Sequence, residues 1–127
     1  MKLFEIIQQK PKLQIIPKNK WSPYKNDPTE YDGENHVIRV RDDYDYKTDP
    51  AGWIIHELEH TRLDFDGHQD DGKEYPFNST EVQAYTKQFV YLKKKGYQFN
   101  DIFNLIGQHK KKYKQIFKQY WNNQPIT

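Results

Sequence analysis

His56-Glu57-Leu58-Glu59-His60 sets two imidazoles four residues apart, with a glutamate directly after the first. On a helix, residues i and i+4 lie one above the other, so this spacing aims both rings at one point in space. Two histidines so placed supply half of the tetrahedral donor set that a Zn²⁺ ion takes from nitrogen and oxygen ligands. At this chain's own His and Glu frequencies the spacing arises by chance in about one such sequence in a hundred, so the flanking residues have to support it. Working outward, Asp49 offers an N-cap and Pro50 suits the first helical position, which predicts a helix opening there. Ile54, Leu58, Thr61 and Phe65 recur at i, i+4, i+7 and i+11 and predict a core-facing stripe, with His56 and His60 on the adjoining face. Asp66-Gly67 predicts the stop.

A catalytic zinc usually takes three protein ligands and leaves one position open, so a third donor has to come from beyond the pair. His68 follows His60 by eight residues, with Leu63 where a glycine turn would be needed to bring it back. Asp64 lies one turn past His60 and two past His56, each turn rising about 5.4 Å, which suits it to orienting an imidazole rather than closing the cage. Glu81 opens a second well-marked helix. Asn78, Ser79 and Thr80 offer caps, Val82, Tyr85, Phe89 and Leu92 form its apolar stripe, and Lys93-Lys94-Lys95-Gly96 ends it.

A His-Glu-x-x-His helix followed about twenty residues later by a glutamate helix resembles the zincin metallopeptidases. Residues 36–95 are most similar to the very small gluzincin-like peptidases (minigluzincins) and the related SprT-like and ImmA-like domains. The resemblance implies an α+β minimal zincin-like domain: a small N-terminal antiparallel or mixed sheet, the motif helix, the glutamate helix and a C-terminal basic helix. It also implies zinc held by His56, His60 and Glu81, Glu57 as general base, and peptide-bond hydrolysis. In zincins the strand before the motif helix rims the cleft and pairs with extended substrate. That role would fall here on Val37, Ile38 and Arg39.

Several residues carry a second reading. Asn78-x-x-Glu81 also matches a capping box, in which the glutamate serves only the helix start. The motif satisfies the inverted His-x-x-Glu-His order too, with Glu59 as base. Such enzymes bring their third ligand from far downstream, whereas the only glutamates after His60 are Glu74 and Glu81, and Arg62 offers Glu59 an ordinary partner. Tyr75, Tyr85 and His68 are candidates to stabilise an oxyanion. His109 falls in a stripe with Ile102, Ile106, Tyr113, Ile116 and Tyr120 that predicts a core position, and His36 opens a candidate strand and flanks the cleft.

Length bounds the rest: 127 residues fit one domain, residues 1–127, with a real core and a minimal active site. The chain has no cysteine, which excludes disulfides and thiolate ligands. Residues 1–10 carry short apolar patches broken by Glu5, Gln8 and Gln9, which read as neither signal peptide nor membrane span, so a cytoplasmic or virion-borne protein is expected. Residues 3–9 read as a short helix, Leu13-Gln14-Ile15-Ile16 as a strand, residues 21–35 as a loop, residues 36–41 as a half-buried strand with Ile38 and Val40 inward, and residues 100–121 as one helix. Charge is uneven. Residues 1–25 carry six lysines and one acid, residues 26–81 five basic and sixteen acidic groups, and residues 82–127 nine lysines and one acid, within a net +2. Lys110-Lys111-Lys112, Lys114 and Lys118 read chiefly as a solvated face, with an acidic assembly partner or phosphate as the alternatives. The run lacks arginine and any known nucleic-acid motif, so nucleic acid is not expected as a partner. A peptide or protein substrate is the expected partner. The competing reading is a structural or assembly protein that keeps the fold. The richness in Lys, Asn, Tyr and Ile fits an AT-rich genome, that of a phage or a low-GC bacterium, and makes a virion component the form that reading takes.

Overall fold

The computed structural model describes residues 10–122; the helix expected over residues 3–9 lies outside them. The described chain is α+β, a three-stranded mixed sheet followed by helices. The strands are β1 (Lys12–Ile16), β2 (Thr29–Asp32) and β3 (Val37–Arg41), in the order β1-β3-β2. β3 runs parallel to β1 and antiparallel to β2. Ile38 and Val40 are buried and Arg39 and Arg41 face outward, as the alternation requires.

β2 corrects the expectation of an unbroken loop over residues 21–35. The Pro, Asp, Asn and Gly content of that stretch masks the short run Thr29-Glu30-Tyr31, whose branched and aromatic side chains suit a strand once β3 is there to pair with. The hairpin between them closes through Asp32, whose carboxylate accepts from the Glu34 and Asn35 amides.

Helix α1 (Trp53–Phe65) carries the histidines and α2 (Ser79–Lys94) the glutamate. α1 begins three residues later than Pro50 predicts, yet Asp49 still caps it: its carboxylate accepts from the Ile54 amide at 3.0 Å and the Ile55 amide at 3.1 Å, and Tyr44 donates its hydroxyl proton to it. Gly52 stands at the helix start with φ 76, a left-handed conformation that costs glycine little. A Cβ there would meet Gln88 Cγ at 3.0 Å and Tyr91 at 3.1 Å, so glycine is what lets α1 approach α2. At the other end Gly67 donates to the Asp64 carbonyl and His68 to the Leu63 carbonyl, the paired bonds that stop a helix at a left-handed glycine. Gly96 and Tyr97 end α2 in the same way.

The expected stripe on α1 is corrected. Leu58 is exposed, Ile54 and Phe65 are half-buried, and the side chains that α1 buries are Trp53, His56, Glu57, Glu59, Thr61 and Leu63. The face turned inward is therefore the one that bears the motif. The α2 stripe holds, with Tyr85, Phe89 and Leu92 at or near zero exposure and Val82 packed against the same core.

The single helix expected over residues 100–121 is interrupted. A 3-10 turn leads into α3 (Ile102–Ile106), a second 3-10 turn spans Gln108–Tyr113, and α4 runs Lys114–Asn122. Gly107 makes the break: it has φ 118, and a Cβ on it would fall 2.4 Å from the His109 ring. The register therefore shifts, so His109 is exposed and Lys110 is buried, the reverse of the predicted stripe. Trp53, Tyr85, Phe89, Leu92, Ile102, Phe103 and Phe117 form the core between α1 and the C-terminal helices. Among the described residues no helix is long and apolar enough to cross a membrane.

Candidate metal centre

Because α1 turns its motif face inward, His56 is 4 % exposed and Glu57 6 %. α2 crosses that face and brings Glu81 to it. Glu81 Oε1 lies 3.0 Å from His56 Nε2 and 3.1 Å from His60 Nε2. Donors about 2.0–2.1 Å from a tetrahedral zinc are separated by about 3.3 Å, so both imidazole–carboxylate separations stand close to the spacing within one coordination shell. The donor atoms of His56, Glu57 and His60 also lie within 4.8 Å of one another. Glu81 converges more tightly on the two imidazoles than Glu57 does, which leaves Glu57 beside the donor set.

The hydrogen bonds behind the donors fix their chemistry. Gln88, fully buried, donates its Nε2 to the Ala51 carbonyl at 2.9 Å. Its Oε1 therefore faces His56 Nδ1, at 2.8 Å, as an acceptor, and Nδ1 carries the proton. In the neutral imidazole, Nε2 then presents a lone pair to the Glu81 carboxylate. Two imidazole nitrogens and one carboxylate oxygen pointing together repel one another unless a cation or protons lie between them. The donor set thus fits a metal ion: two neutral imidazoles, one carboxylate, and an amide that orients the first ring.

Without a metal, protons take that role. Burial alone would raise the Glu81 carboxyl, but the hydrogen bonds from His56 and His60 outweigh it and hold the group well below the usual carboxylate range. Burial works against the charged form of His60 too, and Glu81 overcomes it, so this imidazole is raised. Burial pushes the Glu57 carboxyl above its ordinary value, against the lowering pull of His56 and His60. Thr29 on β2 donates to Glu57 Oε2 at 2.8 Å, and Oε1 has no hydrogen-bond partner among the described residues.

These groups line a cleft of about 290 Å³ between β2 and the two helices. Tyr75 and Tyr85 form its other wall. Their hydroxyls are hydrogen-bonded to each other, and burial raises both phenols far enough that they stay protonated. The Tyr85 ring packs edge-on against His56, with centroids 4.4 Å apart.

Other expectations change. The capping box does not form, because the Glu81 side chain faces the imidazoles. Asp71 accepts from the Ser79 amide and Asp70 from the Thr80 amide instead. Asp64 orients neither histidine; it accepts the Tyr31 hydroxyl at 2.6 Å on an exposed surface. His68 lies apart from the pair, with Nε2 2.8 Å from Ser79 Oγ. Glu59 is held by Arg62 through two bonds of 2.7 and 3.0 Å. Val37, Ile38 and Arg39 cannot add a substrate strand, because β3 is the middle strand and pairs along both edges. Among the residues that sequence reasoning missed is Gln88. Its signal was a polar side chain three residues after Tyr85 and one before Phe89, inside the α2 stripe, where only a paired amide is tolerated.

No family model, curated protein or solved structure matches the chain.

Proposed function

We propose that the protein is a zinc-dependent metallopeptidase. The observation that carries this reading is the convergence of His56 Nε2 and His60 Nε2 on one oxygen of Glu81, with the Glu57 carboxylate buried beside them in an open cleft. His56, His60 and Glu81 would hold the metal. A zinc ion there supplies Lewis acidity, which lowers the pKa of water and polarises a carbonyl. Glu57 receives the proton of the attacking water and returns it to the leaving nitrogen. Its burial keeps the carboxylate basic, and the bond from Thr29 orients it for that transfer. β2 has no strand on its outer edge among the described residues, and Thr29, Glu30 and Tyr31 line the cleft. An extended peptide pairing with that edge lies across the donor set. The substrate strand is thus β2 rather than β3.

Metal analysis of the purified protein tests the reading. One zinc per chain is expected, with His56→Ala or His60→Ala abolishing it and Glu81→Gln weakening affinity by about tenfold or more while helix content holds. Full zinc retention in both histidine variants would end the proposal. A loaded protein without activity toward unfolded proteins would favour a structural or assembly role.

A further inference from the structure

Among the described residues Lys110 is the only lysine or arginine that is buried. A buried ammonium is costly unless paired and hydrogen-bonded, so its surroundings show what it is held for. Asp27 Oδ2 lies 3.1 Å from Nζ, and the rings of Trp53, Tyr75 and Tyr85 surround it with centroids at 5.8, 4.8 and 5.9 Å. Its shortest contact is with neither. Nζ donates to the Tyr75 hydroxyl oxygen at 2.5 Å.

Counting protons gives that contact a direction. Tyr75 and Tyr85 have one hydroxyl proton each, and the bond between them uses one. An ammonium donating to the Tyr75 oxygen makes that hydroxyl the stronger donor of the two, since hydrogen bonds in a chain polarise one another. Tyr75 therefore donates to Tyr85. The Tyr85 proton is left over, on a residue that packs against His56 and lines the cleft with Glu57 and Glu81. No acceptor for it exists among the described residues.

We infer that Lys110, Tyr75 and Tyr85 form a directional hydrogen-bond chain that presents the Tyr85 hydroxyl proton to an anionic oxygen in the cleft. Lys110 and Tyr75 are positioning residues, and Tyr85 is the group that touches the reacting oxygen. The identity of that oxygen, a carbonyl gaining negative charge, rests on the metallopeptidase reading; the direction of the chain does not.

Two measurements separate these claims. In the metal-free protein, proton NMR is expected to find the Tyr75 hydroxyl proton protected from exchange although the residue is 38 % exposed, and that of Tyr85, which has no acceptor among the described residues, exchanging faster although the residue is 1 % exposed, the reverse of the order that burial alone would give. Lys110→Met should speed Tyr75 exchange by about tenfold or more. The opposite order of protection overturns the chain. In cobalt-loaded protein, visible absorption follows the binding of inorganic phosphate as an oxyanion probe. Tyr85→Phe and Lys110→Met should each weaken phosphate by about tenfold, the double variant by no more than either single change, and Lys110→Arg should restore most of the loss. Unchanged cobalt affinity and circular dichroism establish that the variants fold. Additive losses, or phosphate affinity unaffected by either change, overturn the proposal. If the wild type binds neither zinc nor cobalt, the metallopeptidase reading falls and the exchange measurement alone decides the chain.

Discussion

Glu57 and Glu59 differ by two positions and by almost everything that surrounds them. Glu57 has one oxygen bound by Thr29 and the other without a hydrogen-bond partner among the described residues, whereas both oxygens of Glu59 are taken by Arg62. Glu57→Gln is therefore expected to keep zinc and to lower peptidase activity by a factor of about 10² to 10⁴. Glu59→Gln should keep zinc and activity and cost about 1 kcal/mol of stability, read by denaturant unfolding. Loss of activity in the second variant with retention in the first would reassign the base. The titrating groups give a second expectation. His60 is raised, so its contribution to metal-free stability is complete below its ordinary value of 6.5 and is lost as pH rises through the folded value. Glu81 is lowered, so its contribution is complete above its ordinary 4.5 and is lost as pH falls through the folded value. Glu57 is raised by burial, so it costs stability increasingly as pH rises from its ordinary 4.5 through its folded value, and metal-free protein should be most stable toward the acid end of the interval between 4.5 and 6.5. Zinc displaces the imidazole protons, so the rise in Tm on adding zinc should grow from about pH 5.5 to about pH 7.5. Calorimetry with and without metal checks the sign, and a zinc-induced shift that shrinks over this interval would contradict the donor assignment.

At the scale of elements, helix stops and the buried faces of α2 and β3 were legible, and the face of α1 was not. Both glycine stops, at Gly67 and Gly96, follow from local backbone chemistry and stand where expected. The buried face of α1 depends on its neighbours. Leu58 lies outward because the polar side of the helix is satisfied from across the interface, by Gln88, Glu81 and Thr29. β2 was hidden because four residues carry little pattern until a partner strand exists. The C-terminal helix failed at Gly107, where an apolar periodicity continued through a conformation that helices do not accept. Gly52 carries the clearest test at this scale. Gly52→Ala imposes a left-handed conformation on a Cβ that also presses on Gln88, so stability should fall by about 1–2 kcal/mol. Zinc affinity should fall with it, by about tenfold, because Gln88 holds the His56 ring. Lower stability with unaltered zinc affinity would show that the α1–α2 approach does not position the ring.

For the molecule as a whole, the meeting of His56, His60 and Glu81 was readable because two of them share one helix and the third opens the next marked one. The groups around it were not readable. Thr29, Lys110 and Gln88 reach the site from three separate elements and have no spacing relation to the motif. The charge pattern misled for a related reason: a lysine run reads as one solvated face only if the helix under it is continuous, and the break turns Lys110 inward while Lys111 and Lys112 stay exposed. One consequence follows from His56 and His60 lying on α1 and Glu81 on α2. A metal bound to all three is a cross-link, present only when both helices are docked, so ligand occupancy and cooperativity become one quantity. At a free zinc concentration one hundred times Kd the folded state gains about 2.7 kcal/mol. Amide exchange should slow together in α1 and α2 on loading, while β1, which holds none of the donors, keeps the exchange rates of its own local openings. Equal slowing throughout the chain would mean that the sheet and the helices open as one unit.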